Sequence, residues 1–150
     1  MDWLKPGDKF TWDHVQQGWV LEELKEMLGR PYERGAKWKD GERQPFGKID
    51  CSGLVRWAFS LRGLLLPHGS FNQIAVCKKW PHPIPVPLCL GFADLSGADG
   101  VVDHVNIVFN ADSVIEARAD FGKVVRRPIS NWEKQKGFLG WHYVPGTVAV

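Results

Sequence analysis

The sequence predicts an α+β fold in which helices come first and an antiparallel sheet follows. Three observations carry this. Apolar residues recur at helical spacing through the first half of the chain. From about residue 88 the pattern becomes short runs rich in β-branched residues, separated by Gly, Asn and Asp. The strand–helix–strand alternation that would build a parallel sheet is missing. At 150 residues the chain fits one domain, and we expect a single unit over 1–150.

In the first half, Val20, Leu21, Leu24, Met27 and Leu28 share one helical face and Gly29 supplies a stop, which predicts a helix near 16–28. Arg30-Pro31-Tyr32 follows, then a polar loop through about Lys48. A second helix should open at Cys51 or just before it, capped by Asp50, with Leu54, Val55, Ala58 and Phe59 as its apolar stripe and Gly63 as its end. Ser70-Phe71-Asn72-Gln73 has the form of a capping box and predicts a short helix over 71–79. The prolines at 81, 83, 85 and 87 remove backbone donors and favour polyproline II, so this stretch reads as a stiff surface connector.

In the second half, strands are expected at 88–92, 104–109, 114–117, 124–126 and 141–144, with Asn110-Ala111-Asp112 as a hairpin turn. Ser130-Asn131-Trp132-Glu133 reads as a second capping box opening a short helix.

Composition narrows the function classes. The net charge of +2 and the lack of a dense Lys/Arg run argue against nucleic acid as partner. Lys37, Lys39, Arg43 and Lys48 are interleaved with acids; they read as a solvated loop, or as a weakly basic face tolerating an anionic polymer. No 18-residue apolar run exists, so no membrane span is expected. The N-terminus lacks the basic start and apolar stretch of a secretory signal, so the chain either acts without that export route or has lost its leader. Eight tryptophans supply large apolar area with a polar handle, suited to cores, grooves or interfaces.

Cys51, Cys77 and Cys89 form an odd set with no Cys-x-x-Cys pair, which excludes a closed disulfide framework and argues against a zinc site. Cys77 and Cys89 lie in apolar surroundings and read as core thiols. Cys51 is different. A helix N-terminus and a neighbouring imidazolium both favour a thiolate, and Ser52 and Gly53 are small enough for a substrate to approach. Position alone also allows a buried structural cysteine. The base should be a His close in space. Of the five, His104 opens a strand, where a rigid sheet would hold it; it could equally only cap that strand. Glu116 is the candidate to orient it. A turn centred on Ala111 sets Glu116 opposite Asn106, one diagonal step from His104 on the same face. The alternative is an outward-facing Glu.

The order and context of these residues resemble the NlpC family of papain-like bacterial cell-wall peptidases, from about Leu24 to Val144. Leu28-Gly29-Arg30-Pro31-Tyr32 resembles the family's Leu-Gly-x-Pro-Tyr segment, and Asp50-Cys51-Ser52-Gly53-Leu54-Val55 its nucleophile motif. Leu66-Pro67 with Ser70 and Gln73 is similar to the next helix entry. His104-Val105-Asn106-Ile107 and Val114-Ile115-Glu116-Ala117 resemble the two strands that carry the other polar members. The resemblance implies a papain-like fold with Cys51 as nucleophile, His104 as general base and Glu116 as orienting residue. It implies that Tyr32 adds its hydroxyl, that Asp50 and Ser52 receive the amine of a peptide stem, and that Ser70 and Gln73 contribute to substrate binding. The implied reaction is hydrolysis of peptidoglycan stem peptides after γ-D-glutamate, without metal or cofactor. The missing secretory signal leaves the site of action open, with the cell wall, periplasm or extracellular space reached by phage lysis or non-Sec delivery as the expectation, and a monomer is expected. Deamidation, acyl transfer or an effector toxin would use the same Cys-His-Glu set, and a peptide-binding module would use the groove without it. The chain departs from the family at three places. Glu116 stands where His is usual, the Gly-Asp-Leu opening of the first central strand is replaced by Pro87-Leu88-Cys89-Leu90-Gly91-Phe92-Ala93-Asp94-Leu95, and the proline-rich stretch is unlike the usual linker.

Overall fold

A computed structural model describes residues 3–36 and 48–150. Lys37, Lys39 and Arg43 of the interleaved loop lie outside the described residues; Lys48 forms an exposed ion pair with Glu33 at 3.7 Å. The elements run α1 (His14–Glu26), α2 (Cys51–Ser60), α3 (Ser70–Ala75), β1 (Lys78–Lys79), β2 (Leu90–Ala93), β3 (His104–Val108), β4 (Ser113–Arg118), β5 (Lys123–Pro128), α4 (Ile129–Glu133) and β6 (Phe138–Tyr143). The six strands form one sheet in the order β1-β6-β2-β3-β4-β5, with every pair antiparallel. This is the α+β, papain-like arrangement.

Several boundaries differ from expectation for identifiable reasons. α1 starts two residues early because Asp13 and Gln16 form a reciprocal capping box, each side chain accepting from the other's backbone N–H. Leu28 falls beyond the helix and is exposed. The capping box expected at Ser70 and Gln73 does not form. Gly69 is the cap, with φ +85°, and the Gln73 amide is buried and donates instead to the carbonyls of Ser52 and Pro67, both at 3.0 Å. α3 stops at Ala75 because the following chain pairs with the sheet, Lys78 opposite Tyr143 and Lys79 opposite His142. The box expected at Ser130 is also absent: α4 already begins at Ile129 behind Pro128, with no side-chain cap. The proline stretch bends at 82–84 and turns at 87–88, folded back by the Trp80 indole N–H donating to the Ile84 carbonyl at 3.0 Å. Leu88 takes φ +74°, so β2 starts only at Leu90.

The core lies between α2 and the middle of the sheet. α2 is buried on all sides from Ser52 to Ser60, beyond the single stripe its sequence suggests, and its one cation, Arg56, donates Nε–H to the Leu66 carbonyl at 2.8 Å. Every residue of β2, β3 and β4 is buried. The β3–β4 register is the expected one, with Ile107 opposite Ile115 and Val108 opposite Val114. A polar side chain on these strands therefore has to find its partner inside the protein.

Candidate active site

Cys51 is the first residue of α2. Asp50 caps the helix, its Oδ1 accepting from the Gly53 N–H at 2.6 Å and from the Ser52 hydroxyl at 3.4 Å. The closeness of that cap explains Gly53: a Cβ there would stand 2.7 Å from Asp50 Oδ1 and 3.2 Å from the Ala36 carbonyl oxygen. Gly53 is buried and serves the cap, where the sequence suggested room for substrate.

His104 opens β3 beneath the start of α2. Its Nε2 lies 2.7 Å from Glu116 Oε1, and its ring is also hydrogen-bonded to the Cys51 side chain. With Nε2 engaged by the carboxylate, Nδ1 is the nitrogen left for the thiol. Burial opposes charge on the imidazole, but the hydrogen bonds from Cys51 and Glu116 outweigh it and raise its pKa to about 9.

Glu116 is fully buried and has three donors. Oε1 accepts from His104 and, at 3.3 Å, from Arg118 Nη1; Oε2 accepts from the Trp132 indole N–H at 2.6 Å. Arg118 in turn makes a two-pronged pair with Asp120, both contacts at 2.8 Å, and this pair holds the Asp120 carboxyl near 2. The Trp132 ring lies parallel to the His104 imidazole, 5.3 Å between centroids and 8° between planes. Arg118 and Trp132 did not emerge from the sequence. Arg118 sits two residues from Glu116 on the same strand face, a signal that period-two reasoning could have used. Trp132 comes from α4, 16 residues away, and carries no local signal.

Tyr32 reaches Cys51 from another direction. The segment 29–32 is bonded along the end of β5 by Gly29 N–H to the Val124 carbonyl, Val124 N–H to the Arg30 carbonyl and Tyr32 N–H to the Gly122 carbonyl. A short bridge to Ile49 then sets Tyr32 beside the start of α2. Burial, followed by the nearby Cys51 and Asp50, raises its pKa, so the phenol keeps its proton and can donate.

Tyr32, Arg34, Cys51, Asp103, His104 and Arg118 are among the residues lining a cleft of about 430 Å³, a volume in the range of ordinary ligand sites. The fold thus gathers Cys51, His104, Glu116 and Tyr32. It does not bring Ser70 and Gln73 to the cleft: both are buried, and Gln73 ties α3 to α2. Asp50 and Ser52 are also buried, beside Cys51, and bond to each other and to the helix start. Cys77 and Cys89 lie away from the cleft, and burial pushes their thiols up to about 12 and about 11. Among the described residues no cluster of His, Cys, Asp and Glu could hold a metal ion, and no helix is long and apolar enough to cross a membrane.

Comparison with known proteins identifies the family and the fold. The NlpC/P60 family profile matches residues 29–141. The peptidoglycan endopeptidase RipB of Mycobacterium tuberculosis is 30% identical over 118 residues, covering 74% of this chain and 47% of RipB, so the chain spans about half the length of that relative. Among solved structures, an NLP/P60-family protein similar to a lipoprotein, from Staphylococcus aureus, superposes with a TM-score of 0.72 at 21% identity, over 89% of this chain and 43% of that one. RipD of M. tuberculosis, described as a non-catalytic NlpC/p60 domain protein adapted to peptidoglycan binding, superposes with a TM-score of 0.68 at 17% identity, over 88% of this chain and 98% of that one. From the profile match across most of its length, the chain belongs to the NlpC/P60 family.

Proposed function

We propose that residues 1–150 form a cysteine peptidase domain that hydrolyses an amide bond in peptidoglycan stem peptides, after γ-D-glutamate. The observation that carries this is the imidazole of His104, held between the Cys51 thiol and the buried Glu116 carboxylate. Family membership and the relative named as a peptidoglycan endopeptidase support the substrate class.

The chemistry follows from the arrangement. A ring nitrogen with a pKa near 9 takes the thiol proton readily, and the sulfur attacks the amide carbonyl carbon. The backbone N–H of Cys51, at the start of α2, would receive the developing oxyanion together with the positive end of the helix. His104 then gives its proton to the departing amine, leaving a thioester on Cys51. Water attacks the thioester while His104 takes its proton, and the proton returns to sulfur as the acid leaves. Glu116 holds the imidazole in one tautomer and one orientation. Tyr32 offers a protonated hydroxyl at the cleft wall.

Digestion of purified peptidoglycan, with mass analysis of the released fragments, tests this. Wild-type protein should release fragments cut after γ-D-glutamate, and Cys51→Ala should release none above background. A Cys51→Ala protein that digests at the wild-type rate overturns the assignment. Intact peptidoglycan retained by wild-type protein without cleavage would point to a binding module.

A further inference from the structure

We propose that Trp132 is a positioning residue for His104, serving the imidazole and the carboxylate with two different parts of one indole. This rests on the cysteine-peptidase reading above. The ring face lies on the imidazole, parallel to within 8° at 5.3 Å between centroids. The N–H at the ring edge donates to Glu116 Oε2 at 2.6 Å, on the oxygen that His104 does not use. An aromatic face is electron-rich and its edge electron-poor. The face therefore favours the imidazole when it carries a proton, and the edge favours Glu116 when it does not. Both preferences stabilise the same charge state of the pair.

The geometry also limits motion. With Oε1 bonded to His104 and Arg118 and Oε2 bonded to Trp132, the carboxylate cannot rotate without losing a donor. The parallel indole restricts the imidazole from turning about its own axis. Trp132 is itself fixed, buried in α4, with Phe138 against it and the Arg118 guanidinium 5.5 Å from its ring centre. It does not line the cleft, so its effect on substrate has to pass through His104 and Glu116.

Among the described residues, β3 contributes His104 to the surroundings of Glu116, with Cys51 of α2 behind it; β4 contributes Arg118, with Asp120 beyond; β5 places Val125 opposite, with Lys123 and Arg127 two residues to either side of it; and α4 contributes the Trp132 indole. Removing the indole N–H takes one donor from the charged form of Glu116. The carboxylate is then held by two donors instead of three, and the imidazole it orients is freer to turn.

Trp132→Phe keeps a ring for stacking and removes the donor. We expect kcat to fall about 10- to 100-fold, the range for a hydrogen bond to a charged group, with KM within about twofold of wild type. In a Glu116→Ala background the same change should add little to the Cys51 alkylation profile, because the donor has lost its acceptor. Should Trp132→Phe fold poorly, benzothienylalanine inserted at position 132 keeps the shape of the indole and lacks only the N–H. Two readouts need no substrate: the pH dependence of Cys51 alkylation by iodoacetamide, and the NMR signal of the His104 Nε2 proton, which should exchange faster with water in the variant. Unchanged alkylation, exchange and kcat would overturn the proposal, as would an equal effect on alkylation in both backgrounds. A wild-type protein that cleaves no peptidoglycan would defeat the functional reading instead, and the alkylation and exchange measurements would still decide the role of Trp132.

Discussion

The two ends of the candidate site are built in opposite ways. At the Cys51 end everything is local: Asp50, Cys51, Ser52 and Gly53 are consecutive, and one helix start with its cap defines the thiol's position. At the Glu116 end only Arg118, two residues along the same strand, is local. His104, Glu116, Arg118 and Trp132 come from two strands and a helix, and the carboxylate is placed only after β3, β4 and α4 have packed. A local end can be damaged by strain in one turn. A dispersed end can be damaged by removing the single group on which its donors converge.

The largest expected effect follows from that convergence. Glu116→Ala takes the acceptor from the Trp132 N–H and one partner each from His104 and Arg118, in a buried site. Breaking a buried charged pair in this way costs about 3–5 kcal/mol, so denaturant unfolding should show a large loss of stability together with loss of turnover. Glu116→Gln keeps an acceptor and should retain more stability than activity. If Glu116→Ala is as stable as wild type, the Glu116 end is not the hub described.

Next in size is Gly53→Ala at the local end. The added Cβ would meet Asp50 Oδ1 at 2.7 Å, so the cap must give way. Overpacking of this kind costs about 1–3 kcal/mol, and Cys51 alkylation should slow as the helix start loosens. A variant with normal stability and normal alkylation would show that the cap does not position the thiol.

The smallest effect is a pH dependence of stability. The folded His104 pKa of about 9 lies above the ordinary value of 6.5. The stabilisation from its partners is therefore fully present below 6.5 and is lost as the pH rises through about 9. The melting temperature should fall across that window in wild-type protein, and His104→Gln should flatten the slope. An unchanged slope in the variant would assign the pH dependence to other groups.

This contrast also explains what was legible in the sequence. The Asp50 cap, the helix opening at Cys51 and the β3–β4 register were readable because each depends on neighbours in sequence or on one short turn. The Trp132 contact to Glu116 was not, because it depends on how α4 lies against the sheet; the Arg118 contact, two residues along one face of β4, was open to period-two reasoning. The false capping boxes at Ser70 and Ser130 fail for a related reason. The right residue types are present, but Gln73 finds better partners in Ser52 and Pro67, and Pro128 already sets the start of α4. β1 was hidden because two lysines beside a short helix carry no strand pattern of their own; pairing with β6 creates the strand.

The outer strands have a consequence for the protein in crowded solution. The middle strands are wholly buried and would, if uncovered, offer a template on which further chains could add. One flank is the two-residue β1, whose Lys78 and Lys79 are both exposed. The other is β5, occupied at one end by the segment 29–32 and bearing Lys123, Arg126, Arg127 and Pro128 along the rest. Each flank is short, occupied or cationic, so an incoming strand meets repulsion and few open backbone groups, and the sheet is protected against edge-to-edge aggregation.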